Sequence, residues 1–225
     1  MMRRKDAVSS AETIADLFYR RLPEKMGFPM HEIQVLTATK AGEMGTAALN
    51  KRLQAVANPP HPDKHEKPFG DVIFREGDKI MQIRNNYDIL WHKAGSADIS
   101  AGIYNGDMGY IRRIDTQAGI MEIDFEGRIA VYTYDLLNEL EHAWAITVHK
   151  SQGSEYSAVI LALGGCSKKL LTRGVLYTAV SRAKKLLVGV GNEEAAYYMI
   201  DNFVKSRRYS GLRLRLVHYA DGELG

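Results

Sequence analysis

Cysteine is nearly absent from this 225-residue sequence, whose single example is Cys166. One thiol excludes an intramolecular disulfide framework and a cysteine-rich zinc site, and it indicates a reducing compartment such as the cytoplasm. Apolar runs are short as well, and none approaches the roughly 20 residues that a membrane span requires. The basic start MMRRKDAVSS leads into no apolar signal core. We therefore expect a cytoplasmic protein without a membrane span.

A strong excess of one charge is also missing, because 30 Lys and Arg residues balance 27 Asp and Glu residues to a net charge of +3. The charges are nevertheless unevenly distributed. Residues 121–141 hold six acids and one base, whereas residues 142–186 hold seven bases and one acid. A basic stretch of this kind can face phosphate groups, although a solvated surface has the same composition.

Helical and extended patterns alternate in the first 60 residues. Apolar residues recur at helical intervals after Ser9, which has capping-box spacing, and Pro23 with Gly27 is the predicted end of this helix. The segment IQVLTAT at residues 33–39 predicts a short buried strand, and Thr46 is the predicted cap of a second helix that ends near Asn58.

The pattern changes between residues 72 and 141. Short apolar runs are divided there by turn signals such as Asn105-Gly106, which predict a small antiparallel barrel. Strand and helix patterns alternate again from residue 142, and this alternation predicts a parallel sheet covered by helices. We therefore predict one α/β domain, formed by residues 1–71 and 142–225, that is interrupted by a β-barrel at residues 72–141.

A dense polar segment, TVHKSQGSEY at residues 147–156, follows the predicted strand AWAITV. Ligands bind beyond the carboxyl ends of such strands. Lys150 can hold a phosphate as a point charge, Thr147 and Ser151 carry hydroxyl groups, and Gly153 lets a ligand approach the backbone. The structural alternative is that these polar residues only cap the turn.

A second segment, LYTAVSRAKK at residues 176–185, has the apolar spacing of a helix. Arg182 projects away from the apolar face near the predicted carboxyl end of this helix. Arginine at such a position often does no more than complement the helix dipole.

These segments resemble those of a known family. The first, AWAITVHKSQGSEY, resembles motif V of superfamily 1 helicases, and the second resembles their motif VI, in the order typical of the RecD-like, 5′-to-3′ branch. GDKIMQIRNNYDI and YNGDMGYI are similar to the start of the SH3-like barrel inserted in that branch, and IQVLTATKAGEMGTAALNKRLQ is similar to the segment before it. The sequence departs from the family at Ala38 and Ser157, where proline is frequent, and at Gly174, where asparagine is common.

The resemblance implies an α/β fold: a RecA-like (P-loop NTPase-type) second motor domain with an inserted SH3-like β-barrel. It also implies an ATP-dependent helicase acting 5′ to 3′ on single-stranded DNA. Arg182 is the implied arginine finger, which stabilises charge on the transferring γ-phosphoryl group, and Gly153 and Glu155 are implied nucleotide contacts. The implied contacts to single-stranded DNA are Thr147, His149, Lys150, Ser151, Thr39 and Lys40.

No G-x-x-x-x-G-K-[ST] run occurs in the sequence, so the phosphate cradle of a P-loop is missing. We therefore expect the C-terminal part of a two-part motor, in which an upstream P-loop domain binds most of the ATP and its Mg²⁺. The chain alone is expected to hydrolyse no ATP. Nuclease or recombination subunits are compatible partners, since exodeoxyribonuclease V α subunits share this resemblance. The alternatives are a nucleic-acid- or protein-binding module that has lost the motor, and the helicase portion of a conjugative relaxase.

Three weaker patterns are present. His61, Asp63 and His65 have a spacing that fits a metal site, but a solvated loop is the favoured interpretation and we expect no metal. Arginine is frequent near the C-terminus, a segment whose role stays open. In the barrel, the expected face toward DNA is the earlier and more basic half. The C-terminal arginines are Arg207, Arg208, Arg213 and Arg215. The basic residues in the earlier half of the barrel are Lys79, Arg84, Lys93, Arg112 and Arg113.

Overall fold

The computed structural model describes residues 1–4, 6–96, 98–203 and 211–220. The strands in these ranges are β1 (Met2–Arg3), β2 (Ile33–Thr37), β3 (Glu66–Phe69), β4 (Val72–Arg75), β5 (Lys79–Gln82), β6 (Asn86–Lys93), β7 (Ile99–Ile103), β8 (Met108–Asp115), β9 (Ile120–Phe125), β10 (Arg128–Thr133), β11 (Leu140–His142), β12 (Ala145–Thr147), β13 (Tyr156–Leu163) and β14 (Ala183–Gly191). The helices are α1 (Ala7–Asp16), α2 (Leu22–Met26), α3 (Thr46–Ala57), α4 (Arg173–Ser181), α5 (Glu193–Asp201) and α6 (Leu212–Ala220). No helix in the described ranges combines the length and apolarity needed to cross a membrane.

Five strands form a parallel sheet in the order β1-β14-β13-β2-β12. Successive side chains of β2 point to opposite faces: Val35 packs with α1 and α3, and Leu36 packs with α4 and α5. Because helices cover both faces, β2 is buried along its whole length and β13 along its last six residues. The predicted helix-covered parallel sheet is confirmed.

Seven strands between residues 79 and 142 form an antiparallel sheet in the order β11-β5-β8-β9-β10-β6-β7. Its core includes Phe74, Phe125 and Tyr132, and the Tyr132 hydroxyl donates to Oε1 of Gln82 at 3.0 Å. Within the described part of the chain, the terminal strands β7 and β11 do not pair with each other. The predicted antiparallel β-insertion is therefore present, and its two terminal strands leave the sheet open.

Three local predictions differ from the structure. The N-cap of α1 is Asp6, whose carboxylate accepts from the backbone N–H of Ser9 at 2.8 Å, so Ser9 lies inside the helix. Gly45 precedes α3, and Thr46 is its first residue. Pro23 does not end the first helix, because it lies in the first turn of α2, where its missing N–H is tolerated; a π-helical turn, Leu17–Arg21, joins α1 to α2.

The inserted sheet is joined to α3 by a buried carboxylate. Asp78 is fully buried before β5, and its two oxygens accept from Nε2 of Gln54 at 2.6 Å and from Nδ2 of Asn58 at 2.8 Å. Its Oδ2 also lies 3.0 Å from Nε2 of His142 at the end of β11. Buried polar groups require such partners, so these bonds fix where the inserted sheet meets the α/β domain.

The exact domain boundaries stay a prediction. The β3–β4 hairpin pairs Glu66 with Arg75 and so runs across the predicted boundary at 71/72. At the other end, β11 pairs with β5 through His142, and β12 joins the parallel sheet at Ala145. The passage between the two sheets is therefore only two residues long.

Candidate single-stranded DNA and nucleotide interface

Strand register separates the predicted site residues into two groups. Thr147, at the end of β12, is in register with Thr37 at the end of β2, so the segments that follow both strands lie at the carboxyl edge of the sheet. Tyr156 is in register with Ala183, so Glu155 and Arg182, each preceding its strand, lie at the amino edge. Residues 148–155 run from one edge to the other. We call the first group the DNA edge (Thr39, Lys40, Thr147, His149, Lys150) and the second the nucleotide edge (Gly153, Glu155, Arg182).

The turn after β12 presents two of its four residues to the surface. Thr147 caps a 3₁₀ turn, Val148–Ser151, by accepting from the backbone N–H of Lys150 at 3.4 Å. Val148 is buried against the sheet, whereas His149 is exposed and Lys150 is half-buried. Ser151 is fully buried, and its hydroxyl donates to the carbonyl oxygen of Val148 at 2.7 Å. The structure therefore does not bring Ser151 to the DNA edge with the other predicted residues.

Lys40 joins this edge from the loop after β2. Two hydrogen bonds of Thr39 stabilise this loop. Its hydroxyl accepts from the backbone N–H of Ala41 at 3.2 Å, and its carbonyl oxygen accepts from the backbone N–H of Thr46 at 3.1 Å. Gly45 is required here because a Cβ at this position would collide with the carbonyl oxygen of Lys40. The loop leaves the Lys40 side chain exposed.

Lys40 and Lys150 meet at one carboxylate that the sequence patterns did not single out. Glu141 of β11 accepts from Nζ of Lys40 at Oε1, 3.0 Å away, and from Nζ of Lys150 at Oε2, 2.7 Å away. Burial by itself would raise the pKa of Glu141, but the hydrogen bonds and charges of Lys150 and Lys40 outweigh burial, so this pKa lies below its usual value. Glu141 is therefore ionised at neutral pH.

At the nucleotide edge, Arg182 follows the last residue of α4 and connects both sequence segments. Its guanidinium donates to the carbonyl oxygen of Ser154 at 2.9 Å and to that of Thr178 at 3.3 Å. Its own carbonyl accepts from the backbone N–H of Tyr156 at 2.9 Å. These bonds hold the junction of α4 and β14 against the segment that precedes β13.

The remaining residues of this edge are open to solvent. Gly153 has φ +89°, a conformation that favours glycine, and nothing lies within 4 Å of the position of a Cβ there. Glu155 and Lys184 form an exposed ion pair at 3.3 Å. They line a cleft of about 820 Å³ together with Tyr110 and other residues of the inserted sheet. A ligand can therefore approach the backbone at Gly153 and the carboxylate of Glu155.

The weaker predicted sites lie elsewhere. His61 contacts Asp63 at 3.3 Å, and His65 instead contacts Glu76 at 3.2 Å, so the three candidate ligands do not converge. Groups of three or more metal-ligating side chains are not found in the described ranges. Arg207 and Arg208 lie outside the described residues. Lys79 is buried, so its prediction as a surface contact to DNA is wrong.

Two family models match the chain. Residues 49–125 match the SH3 domain of ATP-dependent RecD-like DNA helicases, and residues 142–190 match the UvrD-like helicase C-terminal domain. The second match includes Thr147, His149 and Lys150 of the DNA edge and the whole nucleotide edge. Together the matches confirm the predicted fold class, a RecA-like α/β helicase domain with an SH3-like insertion.

Curated relatives have similar sequences over most of the chain. The ATP-dependent RecD2 DNA helicase of Deinococcus radiodurans is 29% identical over 72% of this chain and 20% of that protein. The RecD subunit of the RecBCD enzyme of Mycobacterium tuberculosis is 30% identical over 83% of this chain and 29% of that protein. The chain thus spans less than a third of the length of either relative. Among solved structures, Bacteroides Pif1 bound to single-stranded DNA is 16% identical, with a TM-score of 0.46 over 94% of this chain and 51% of that one.

Proposed function

Because the chain belongs to the RecD-like family of superfamily 1 helicases, we propose that it is the part of an ATP-dependent 5′-to-3′ DNA helicase that holds single-stranded DNA and supplies the arginine finger. The observation that carries this proposal is the arrangement of the segment at residues 147–155, which begins among the lysines of the DNA edge and ends beside Arg182. A cytoplasmic location belongs to the same proposal.

The DNA edge has the chemistry of a phosphate-binding surface. The ammonium groups of Lys40 and Lys150 lie within hydrogen-bonding distance of the same carboxylate, so one phosphate group of similar size can bridge them. His149 is exposed beside them and can stack on a base or donate to a phosphate. Contacts of this kind are independent of base sequence and depend strongly on salt concentration.

The nucleotide edge supplies donors and acceptors for a nucleotide bound against another domain. The planar guanidinium of Arg182 can contact two phosphoryl oxygens at once, and it would exchange its bond to the Ser154 carbonyl for these contacts. Glu155 can accept hydrogen bonds from ribose hydroxyl groups. Since only two residues separate Gly153 from Lys150, a shift at the nucleotide can be transmitted directly to the DNA edge.

ATP and Mg²⁺ require further groups in this proposal. A P-loop domain in another part of a longer protein would hold the β- and γ-phosphates and Mg²⁺, while Arg182 approaches from this chain. Subunits for recombination or nuclease activity are further proposed partners, because the M. tuberculosis relative is a subunit of the RecBCD enzyme. A binding module without motor activity and the helicase portion of a relaxase remain the alternatives.

ATP hydrolysis tests this division of labour. The 225-residue chain alone should hydrolyse no ATP, with or without single-stranded DNA, since it has no P-loop. The longer protein that joins it to a P-loop domain should show DNA-stimulated hydrolysis. Hydrolysis by the chain alone at a helicase-like rate would contradict the proposal. Binding of single-stranded DNA without hydrolysis by the longer protein would identify a binding module instead.

A further inference from the structure

We propose that Glu141 limits the affinity of the DNA edge by competing with DNA phosphates for Lys40 and Lys150. This inference rests on the proposed function, because it concerns the same two lysines. It assigns a role to a residue of the inserted sheet that neither helicase segment contains. The geometry behind it is the shared carboxylate, each of whose oxygens accepts from one of the two ammonium groups.

Competition follows from the charges at this place. A DNA phosphate that binds both lysines must take the position of the Glu141 carboxylate or lie beside it. In the first case the two ion pairs break, and in the second two anions lie close together. Both outcomes weaken binding, so removal of the carboxylate must strengthen it.

The ion pairs are exposed enough to be exchanged. The side chains of Lys40 and Glu141 are 62% and 38% exposed, and that of Lys150 is 23% exposed. Ion pairs in contact with solvent contribute little free energy. The carboxylate therefore weakens binding without preventing it, which suits a surface that has to release the strand repeatedly during movement along DNA.

The inserted sheet fixes the position of this carboxylate. Glu141 pairs with Met81 of β5, and the next residue, His142, contacts the buried Asp78. Because Asp78 is also bound by Gln54 and Asn58, the strand that carries the Glu141 carboxylate is held at this place. The insertion thereby sets how tightly the α/β domain holds a strand.

The test is the affinity of the 225-residue chain for a fluorescein-labelled oligothymidylate at low salt. Glu141→Gln should bind about three- to tenfold more tightly than the wild type, because two exposed ion pairs no longer compete. Asp135→Asn is the matched control. It removes the same charge from an exposed residue of the 3₁₀ turn between β10 and β11 that forms no ion pair among the described residues. It should change affinity less than about twofold, as expected for an exposed charge that contacts neither lysine.

A double-mutant cycle separates competition from a general effect of charge. In a chain that carries Lys40→Ala and Lys150→Ala, Glu141→Gln should have no larger effect than Asp135→Asn. Equal or weaker binding by Glu141→Gln than by the wild type would overturn the proposal, and so would a gain that persists without the lysines. Melting temperatures check the fold. If the Gln variant unfolds early, Glu141→Thr repeats the test with a residue suited to a strand.

The outcome also separates this inference from the proposed function. If the wild type binds and Lys150→Ala weakens binding, but Glu141→Gln does not strengthen it, only the competition is wrong. If neither the wild type nor the Glu141 variants bind the oligonucleotide, the proposed function fails, and the inference fails with it.

Discussion

At the junction of α4 and β14, the guanidinium of Arg182 donates to the Ser154 carbonyl oxygen and so connects the segments that resemble motifs V and VI. Arg182 is thus a structural tie, and under the proposed function it is also the arginine finger. The two roles predict different consequences when the side chain is removed. Without the tie, the free energy of unfolding falls by about 1 kcal/mol, as for an ordinary hydrogen bond. Without the finger, the chemical step slows and the protein remains folded.

We expect Arg182→Ala, in the longer protein with a P-loop domain, to lower kcat for ATP hydrolysis by about 10³- to 10⁵-fold, the range known for arginine fingers. Nucleotide affinity should change only a few-fold, since the charge that the finger meets develops in the transition state. Arg182→Lys should restore little activity, because an ammonium lacks the planar fork. The control is Arg20→Ala, on an exposed helical turn. A kcat close to the wild-type value in Arg182→Ala would leave only the structural tie.

Side-chain burial was the least predictable property at the scale of single residues. The sequence identifies Ser151 by its place in a polar segment, but the tight 3₁₀ turn directs its hydroxyl back to Val148. Lys79 is a charged residue of a type that usually lies at the surface, and it is buried only because the two sheets meet at this position. Glu141 belongs to no motif, and its partner Lys40 lies 101 residues away in the sequence, so the shared carboxylate is visible only in the folded chain.

The buried side chain of Lys79 connects β5 of one sheet to β2 of the other. Nζ of Lys79 donates to Oε1 of Gln34 at 2.9 Å, and Nε2 of Gln34 donates to the carbonyl oxygens of Ala143 and Trp144. Desolvation of the buried ammonium lowers the pKa of Lys79 from its ordinary value of 10.5 to about 8. The unfolded chain therefore binds more protons than the folded chain between these values, and stability from this group rises with pH.

Lys79→Met removes this pH dependence. The stability of the wild type, measured relative to the variant by urea unfolding, should rise by about 2 to 3 kcal/mol from about pH 7 to about pH 10. The lost hydrogen bond to Gln34 lowers the stability of the variant by an amount that does not vary with pH, so the trend is the informative result. Lys25→Met, on the exposed end of α2, should show no such trend. A constant difference between Lys79→Met and wild type would show that Lys79 keeps an ordinary pKa.

Apolar strands were predictable as elements, and polar strands were not. The segments that become β2, β13 and β14 are rich in apolar residues because the sheet they form is covered on both faces, so the sequence shows them directly. The segment NYDILWHK of β6 is mostly polar and exposed, and only pairing with β10 and β7 makes it a strand. The apolar pattern of the sequence therefore does not reveal this strand.

For the molecule as a whole, the change in pattern near residues 72 and 141 was enough to predict an insertion within an α/β domain. The separation of the site into two edges was not predictable, because nothing in residues 148–155 shows that they cross from one edge of the sheet to the other. The meeting of Lys40, Lys150 and Glu141 depends on three segments that only the folded chain brings together.

The central claim is that the DNA edge binds phosphate groups, and the salt dependence of binding to oligothymidylate tests it most directly. The slope of log affinity against log salt for Lys150→Ala should be smaller in magnitude than that of the wild type by about 0.7, which corresponds to one phosphate contact on a single strand. Lys25→Ala, an exposed lysine distant from this edge in sequence, should leave the slope unchanged. A folded Lys150→Ala variant with the wild-type slope would contradict the account and leave Lys150 as a residue of the turn.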